Sequence, residues 1–363
     1  MFFLKKKVAI LFGGNSTEHQ VSLQSVKSIV HSIDKRKYDV VLIGVDKEGK
    51  WYLYDNLDSC IKNSHDPNSI ELVKSDKRIA LIPGNHIYPF IELPSGKVLG
   101  KIDVIFPLLH GGRGEDGSMQ GLFRITNMPF VGSSVLASAI CMDKDFTKRI
   151  LLHAGLKVAN YTTFTKNEEN NIHFKKIKKQ LGLPVFIKPA NQGSSVGVSK
   201  VESEDEFHLG IEAAFSYDNK IIVEEAIDGR EIECAVLGNN YPISSLPGEV
   251  MTNSSFYSYE AKYIDEKDSQ LIVPAVLEDT VVKKMKLTAI KAFEAIQCEG
   301  LARIDFFLTK DNDLIINEIN TLPGFTKQSM YPKLWEASGR CYKDLIDDLI
   351  RLAIERGASR HSV

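Results

Sequence analysis

A mixed α/β fold of more than one domain is what the sequence predicts. Three observations carry this. A short apolar run ends in glycines and passes into a helical periodicity near the N-terminus. Further short β-branched runs recur between glycine-punctuated segments. Two strands near the C-terminus are joined by a polar turn. The chain has 363 residues, and at roughly 100–200 residues per domain that length suggests two or three domains.

The opening run is Val8 to Phe12, ending in Gly13-Gly14. Its brevity and apolar character predict a buried strand. Leu23, Val26, Ile29, Val30 and Ile33 then recur at helical spacing. Strand, glycine turn and helix in succession begin an α/β domain. Val40 to Val45 and Asp103 to Leu109 read as further strands, whereas the stretch from Trp51 to Gly100 supports no assignment. A boundary is expected near Gly132-Ser133, before a helical stretch through Ala139, Met142 and Phe146. Pro184 to Lys188, Val196 to Val201, Lys220 to Glu225 and Ile232 to Leu237 read as strands, punctuated by Gly182 and Gly229. Leu301 to Leu308 and Leu314 to Ile319 flank Lys310-Asp311-Asn312-Asp313 and predict a β-hairpin. Leu345, Leu349, Ile350, Leu352 and Ile354 mark a C-terminal amphipathic helix, with Gly357 as its expected end.

Composition narrows the function classes. Hydrophobic residues make up 43% and charged residues 25% of the chain, the ordinary globular range. Lys plus Arg number 45 against 47 Asp plus Glu, so no general charge excess favours nucleic acid or anionic lipid. The five cysteines are far apart and form no CxxC pair, which argues against a zinc site or a disulfide framework. No apolar run approaches the ~20 residues that span a bilayer. The N-terminus has no secretory pattern, so the expected location is the cytoplasm.

Four segments point to chemistry. In the hairpin, strand alternation lets Arg303 and Asp305 project together, and likewise Glu318 and Asn320 on the partner strand. Two carboxylates and an amide, without His or Cys, suit Mg²⁺ rather than zinc. The alternative is a solvated sheet face with cross-strand charge pairs. Second, Lys188 ends a strand and leads into Asn191-Gln192-Gly193-Ser194-Ser195-Val196-Gly197. Glycines there let backbone N–H groups approach phosphate oxygens, but the Walker A spacing is absent. Third, Glu224 to Glu231 joins two strands as a hinge that can present backbone groups to a base. Fourth, His110-Gly111-Gly112-Arg113-Gly114-Glu115-Asp116-Gly117 follows a strand, where open α/β sheets place ligands. Neither this segment nor Gly13-Gly14 contains GxGxxG, which leaves a nicotinamide-dependent oxidoreductase weakly supported. A nucleotide-binding module without catalysis is a further alternative.

In order along the chain, these segments resemble the D-alanine–D-alanine ligase family of the ATP-grasp superfamily. The blocks are Gly13 to Ser22, His110 to Gly117, Met142-Asp143-Lys144, Lys188 to Gly197, Phe256 to Tyr263, Arg303-Ile304-Asp305 and Asn317 to Gly324. The resemblance covers nearly the whole chain. It implies three units: an N-terminal Rossmann-like pre-ATP-grasp domain over 1–132, a central ATP-grasp lid over 133–224, and a C-terminal ATP-grasp domain over 225–363 carrying the metal-binding hairpin.

The roles that follow are what the resemblance implies. Lys144 and Lys188 touch ATP phosphates under the loop holding Gly193, Ser194 and Ser195. Glu224, Glu225, Ala226 and Ile227 face the adenine, Glu231 the ribose, and Phe256 and Asn317 also line the nucleotide site. Asp305, Glu318 and Asn320 bind two Mg²⁺ ions, with Mn²⁺ as a substitute. Glu18 holds the ammonium of the first D-alanine beside His110 and forms a hydrogen-bonded set with Ser194 and Tyr263. Arg303 and the Gly324 N–H stabilise the oxyanion. Ser329, Met330 and Lys262 lie at the second D-alanine's carboxylate. Tyr263 favours a dipeptide over the D-lactate ester. The family is expected to be homodimeric, with peptidoglycan synthesis as its purpose.

Overall fold

The structure is a computed structural model that describes residues 4–63, 65–66, 69–252 and 269–360. Its strands form three main sheets. In the first, Lys6–Gly13 lies between Tyr38–Val45 and Val104–Leu108 and pairs parallel with both. Val8, Ala9, Ile10, Leu11 and Phe12 are all buried, as expected of a parallel strand covered on both faces. The segment that the sequence left unassigned extends this sheet antiparallel, through Trp51–Tyr54, Arg78–Leu81 and Phe90–Leu93. These strands have four residues each, too short for a periodic signal.

The turn after the first strand needs its glycine. Gly13 has φ +96°, and a Cβ there would stand 2.2 Å from the Val45 carbonyl oxygen. The helix that follows, His19–Ser32, buries Leu23, Val26 and Ile29.

The second sheet has the order Ser199–Val201, Val185–Pro189, Lys220–Glu225, Tyr161–Thr165, all antiparallel. Phe174–Leu181 and Glu204–Tyr217 are the helices whose Ile177, Leu181, Phe207 and Ile211 fill its core. The strand expected from Val196 starts only at Ser199. Ser194 and Ser195 hold φ of 52° and 59°, left-handed backbone that belongs to a turn.

Gly229–Gly238 is the centre of the third sheet, paired with Gly248–Thr252 on one side and Gly300–Thr309 on the other. Leu314–Asn320 completes the predicted hairpin. Asp279–Ala295 packs on one face through Met285, Ala289 and Phe293. On the other face, Tyr331, Leu334 and Leu349 join a core that continues into the first sheet through Phe106 and Leu108. Phe106 and Phe325 meet edge to face, 5.8 Å between centroids.

Two helix expectations need correction. The stretch through Ala139, Met142 and Phe146 is two helices, Val135–Met142 and Lys144–His153. Asp143 breaks it in extended backbone and caps the second helix, accepting from the Asp145 and Phe146 N–H groups. The C-terminal helix, Tyr342–Arg360, runs through Gly357 instead of ending there. A Cβ at Gly357 would lie 2.7 Å from Pro129 Cγ, so this glycine admits a neighbour.

Candidate active site

The hairpin register fixes the centre of the site. Arg303 stands opposite Asn320, and Asp305 opposite Glu318, so the four side chains share one surface. The register shifts after Asp305, leaving Asn317 as the extra residue of a β-bulge. Leu314 and Ile316 are buried before it and Ile319 after it. The apolar phase therefore jumps by one, and Asn317 joins Glu318 and Asn320 on the polar side. Strict alternation would have put Asn317 on the opposite face.

Arg303 grips Asp305 with two bonds, Nε to Oδ1 at 2.8 Å and Nη2 to Oδ2 at 2.7 Å. Asn320 Nδ2 donates to the same carboxylate at 2.9 Å. Glu233, which stands opposite Asp305 on the central strand, places Oε2 2.8 Å from Arg303 Nε. Burial opposes the charge on Arg303, but Asp305 and Glu233 hold its pKa well above the ordinary value. Among the described residues, no three His, Cys, Asp or Glu side chains are grouped to enclose a metal by themselves. The donor set still fits a hard cation: two carboxylates on adjacent strands with an amide beside them, which leaves ligand positions for phosphate oxygens.

The second wall comes from the lysines and their loop. Lys144 begins its helix because Asp143 caps it. Its Nζ donates to the Gln192 carbonyl at 2.5 Å, and its N–H to the Ala190 carbonyl at 3.0 Å. Lys188 Nζ bonds Glu224 at 2.8 Å. The loop between them carries Gly193, Ser194 and Ser195. Ser194 Oγ donates to Glu18 at 2.5 Å, which joins the second sheet's loop to the head of the first helix. Glu18 is buried.

The hinge is pinned at several points. The Glu225 N–H donates to the Asn160 carbonyl and the Ala226 N–H to the Pro184 carbonyl. The Glu225 carboxylate accepts from Asn160 N and Nδ2 at 2.8 and 3.0 Å. Ile227 is half-buried in the connector between the sheets, and Glu231 is half-buried on the central strand two residues before Glu233.

His110 is buried, with Nδ1 3.0 Å from the Leu322 carbonyl and Nε2 3.4 Å from Ser25 Oγ. Burial pushes its pKa down against the pull of Glu18. With both nitrogens occupied, the ring ties the first helix to the Leu322-Pro323-Gly324 turn. Gly111 has φ +69°, and a Cβ there would meet Glu18 Oε2 at 2.4 Å. Glu115 accepts the Gly111 N–H at 2.9 Å. Burial and the charge of Glu18 push its pKa up to about 8. Glu318 raises it further, while Arg303 and the Gly111 bond pull the other way. Glu115 thus lies within electrostatic reach of Glu18 and of the hairpin's Arg303 and Glu318.

Ser329 stands at the position before Met330–Ala337 and shares reciprocal bonds with Thr326: each N–H donates to the other's hydroxyl oxygen at 3.1 Å. Ser329 Oγ would stand 3.1 Å from a Cβ at Gly324, so Gly324 and Ser329 adjoin. The Met330 side chain is turned into the core against Gly248, which leaves its backbone N–H as the group that can face a ligand. Phe256, Lys262 and Tyr263 lie outside the described residues.

Sequence reasoning missed three charged residues here. Lys148 is one helical turn after Lys144 and on the same face. Glu233 follows Glu231 by two on a strand and shares its face. Glu115 sits inside the His110 to Gly117 segment but was not singled out. Spacing could have flagged Lys148 and Glu233 as neighbours of site residues, and the segment could have flagged Glu115, but none of the three as buried or paired.

The chain is similar to known proteins over nearly its whole length. The family described as D-ala D-ala ligase N-terminus matches residues 7–133, and D-ala D-ala ligase C-terminus matches residues 150–351. A D-alanine–D-alanine ligase of Oceanobacillus iheyensis is 58% identical over 353 residues, covering 97% of this chain and 96% of that protein. The solved D-alanine–D-alanine ligase of Coxiella burnetii superposes with a TM-score of 0.85 at 37% identity, covering 99% of this chain and 96% of the other. VanG D-Ala:D-Ser ligase of Enterococcus faecalis gives a TM-score of 0.85 at 36% identity, covering 96% and 100%. Matched over nearly its whole length, the chain belongs to the D-alanine–D-alanine ligase family.

Proposed function

We propose that the protein joins two D-alanine molecules into D-alanyl-D-alanine, with ATP converted to ADP and phosphate, for peptidoglycan synthesis. One observation carries the reading. The Glu18–Ser194 bond, the Lys188–Glu224 pair and the Arg303–Asp305–Glu318–Asn320 set come from three sheets, and Glu115 lies within electrostatic reach of Glu18, Arg303 and Glu318. The units of this reading are 1–132, 133–224 and 225–363.

A carboxylate is a poor electrophile, and phosphorylation gives it a leaving group. In the first step a carboxylate oxygen of one D-alanine attacks the γ-phosphorus and ADP departs. In the second, the amine of the other D-alanine attacks the acyl carbon, and phosphate leaves with the C–O bond electrons while the amine gives up a proton. Lys144 and Lys188 offset phosphate charge, and the loop at Gly193, Ser194 and Ser195 covers it. Glu224 to Ile227 and Glu231 hold the nucleoside, with Phe256 and Asn317 beside it. Two Mg²⁺ ions, or Mn²⁺ in their place, would sit on Asp305, Glu318 and Asn320 and neutralise the transferring phosphoryl oxygens. Asp305 would exchange its Arg303 bond for that ligation, leaving Arg303 with Glu233. Arg303 and the Gly324 N–H then face the tetrahedral oxyanion, and losing one such donor costs on the order of 10²–10³ in rate. Glu18, bonded to Ser194 and with His110 close by, takes the first substrate's ammonium. Ser329, the Met330 N–H and Lys262 take the second carboxylate, and Tyr263 completes the Glu18–Ser194 set.

Incubation with Mg-ATP and D-alanine, with products identified by mass, tests this. D-alanyl-D-alanine and ADP are expected, and Glu318→Ala is expected to abolish ADP formation while remaining folded. Turnover restricted to L-amino acids would defeat the reading. The likeness to VanG supports a second reading, in which D-serine is the second substrate; adding D-serine in competition separates the two by product mass. The same reading places a homodimer in the cytoplasm, free of membrane and nucleic acid. No helix among the described residues is long and apolar enough to cross a membrane.

A further inference from the structure

Beneath the phosphate-facing wall lies a charged group that no step above uses. Lys148 projects from Lys144–His153 with only 2% of its side chain exposed, its Nζ 3.2 Å from Glu224 Oε1. Lys188 approaches the other oxygen, Oε2, at 2.8 Å, and its side chain is 14% exposed. One buried carboxylate is thus clamped between two ammonium groups. Lys148 Nζ also stands over the Tyr161 ring, 5.7 Å to its centroid, and feels the charges of Lys188 and Glu318.

The two lysines differ in access. Lys188 is at the surface of the cleft and can reach a ligand. Lys148 is sealed beneath it and cannot. A buried ion pair is weak evidence for stability, since desolvation offsets the attraction. What the second lysine changes is charge. With Lys148 present, the triad carries a net positive charge toward the cleft. Without it, Lys188 is fully spent on Glu224. Phosphate would then compete with a buried, uncompensated carboxylate for Lys188.

We propose that Lys148 is a positioning residue for nucleotide binding: it keeps Glu224 neutralised, so that Lys188 can leave the carboxylate and engage the phosphates. This rests on reading the cleft as a nucleotide site, but not on the identity of the amino-acid substrates. Burial pushes the Glu224 pKa up, yet Lys148 and Lys188 together bring it down to about 2, so the carboxylate stays charged at working pH.

The test is calorimetric binding of Mg-ADP, without amino acid, to wild type, Lys148→Met, Glu224→Gln and the double variant. Lys148→Met is expected to weaken ADP about tenfold or more. In the Glu224→Gln background the same change is expected to alter affinity by less than about twofold, because no carboxylate remains to neutralise. Equal losses in both backgrounds, or wild-type affinity in Lys148→Met, overturn the proposal. If Lys148→Met does not fold, the double variant against Glu224→Gln decides. Affinities within about twofold support the proposal, and a tenfold gap overturns it. Wild type that fails to bind ADP would instead sink the nucleotide reading itself.

Discussion

Single residues in this protein are held in charge states that their spacing does not announce. Glu115 is the clearest case. Burial and the Glu18 charge raise its pKa to about 8, far above the ~4.3 of a free glutamate. A carboxyl raised on folding keeps its proton in the native state where the unfolded chain has lost it. Its contribution to stability is therefore full below the unfolded value and drains away as pH rises toward 8, with a slope of at most about 1.4 kcal/mol per unit. Glu115→Gln removes the titration. Wild type is expected to lose stability relative to this variant between pH 5 and 8, measured by urea unfolding with a chelator present. Parallel stability curves would show that the carboxyl is not so perturbed. Residues of this kind escape sequence reading for one reason: a Glu or Lys looks the same in sequence whether solvated or buried. Lys148, Glu224 and Glu233 share that blindness, because each acquires its meaning from a partner distant in the chain.

At the scale of elements, the sequence was most legible where periodicity and punctuation agreed. The Arg303–Asn320 hairpin was readable from two apolar strands and a polar turn, and its register confirms the shared surface. The bulge that brings Asn317 to that surface was not readable, since no special residue marks it. The break at Asp143 was hidden for a related reason: Ala139, Met142 and Phe146 fit one helix, and only the cap geometry shows two. That break has a consequence for Lys144. Asp143 accepts two N–H bonds that start the second helix, and its carboxylate also meets Lys220 Nζ at 2.5 Å. Asp143→Ala is expected to lower stability by about 1 kcal/mol for the cap and to raise the KM for ATP as Lys144 loses its fixed start. Asp143→Asn keeps the cap and removes the charge, so it should recover the stability loss in part. Thermal unfolding and ATP titration of both variants check this. An alanine variant with wild-type KM would separate the cap from the phosphate site.

The whole molecule divides by its cores rather than by its chain order. The first and third sheets share one apolar core, in which Phe106 and Leu108 meet Phe325, Tyr331 and Leu349. Arg356 reinforces that union from the C-terminal helix, donating to the Phe130 and Gly132 carbonyls at 2.6 Å each. The second sheet has a separate core of its own, built around Ile187, Phe207 and Val223. It reaches the third sheet through the short connector after Glu225 and the first through contacts such as Ser194 with Glu18. Cooperative opening follows shared buried surface, and polar bonds at a cleft hold less firmly than a packed core. In the ligand-free protein, amides of the first and third sheets are expected to exchange hydrogen as one block, with those of 161–225 forming a second, less protected block. Mg-ADP, which the proposed function sets between the second and third sheets, should raise protection in the second block most. Phe325→Ala should cost about 3–5 kcal/mol in the first block and leave exchange in 161–225 unchanged. If that substitution loosened the second sheet equally, the two cores would be one cooperative unit, and the cleft could not close by moving one body against the other.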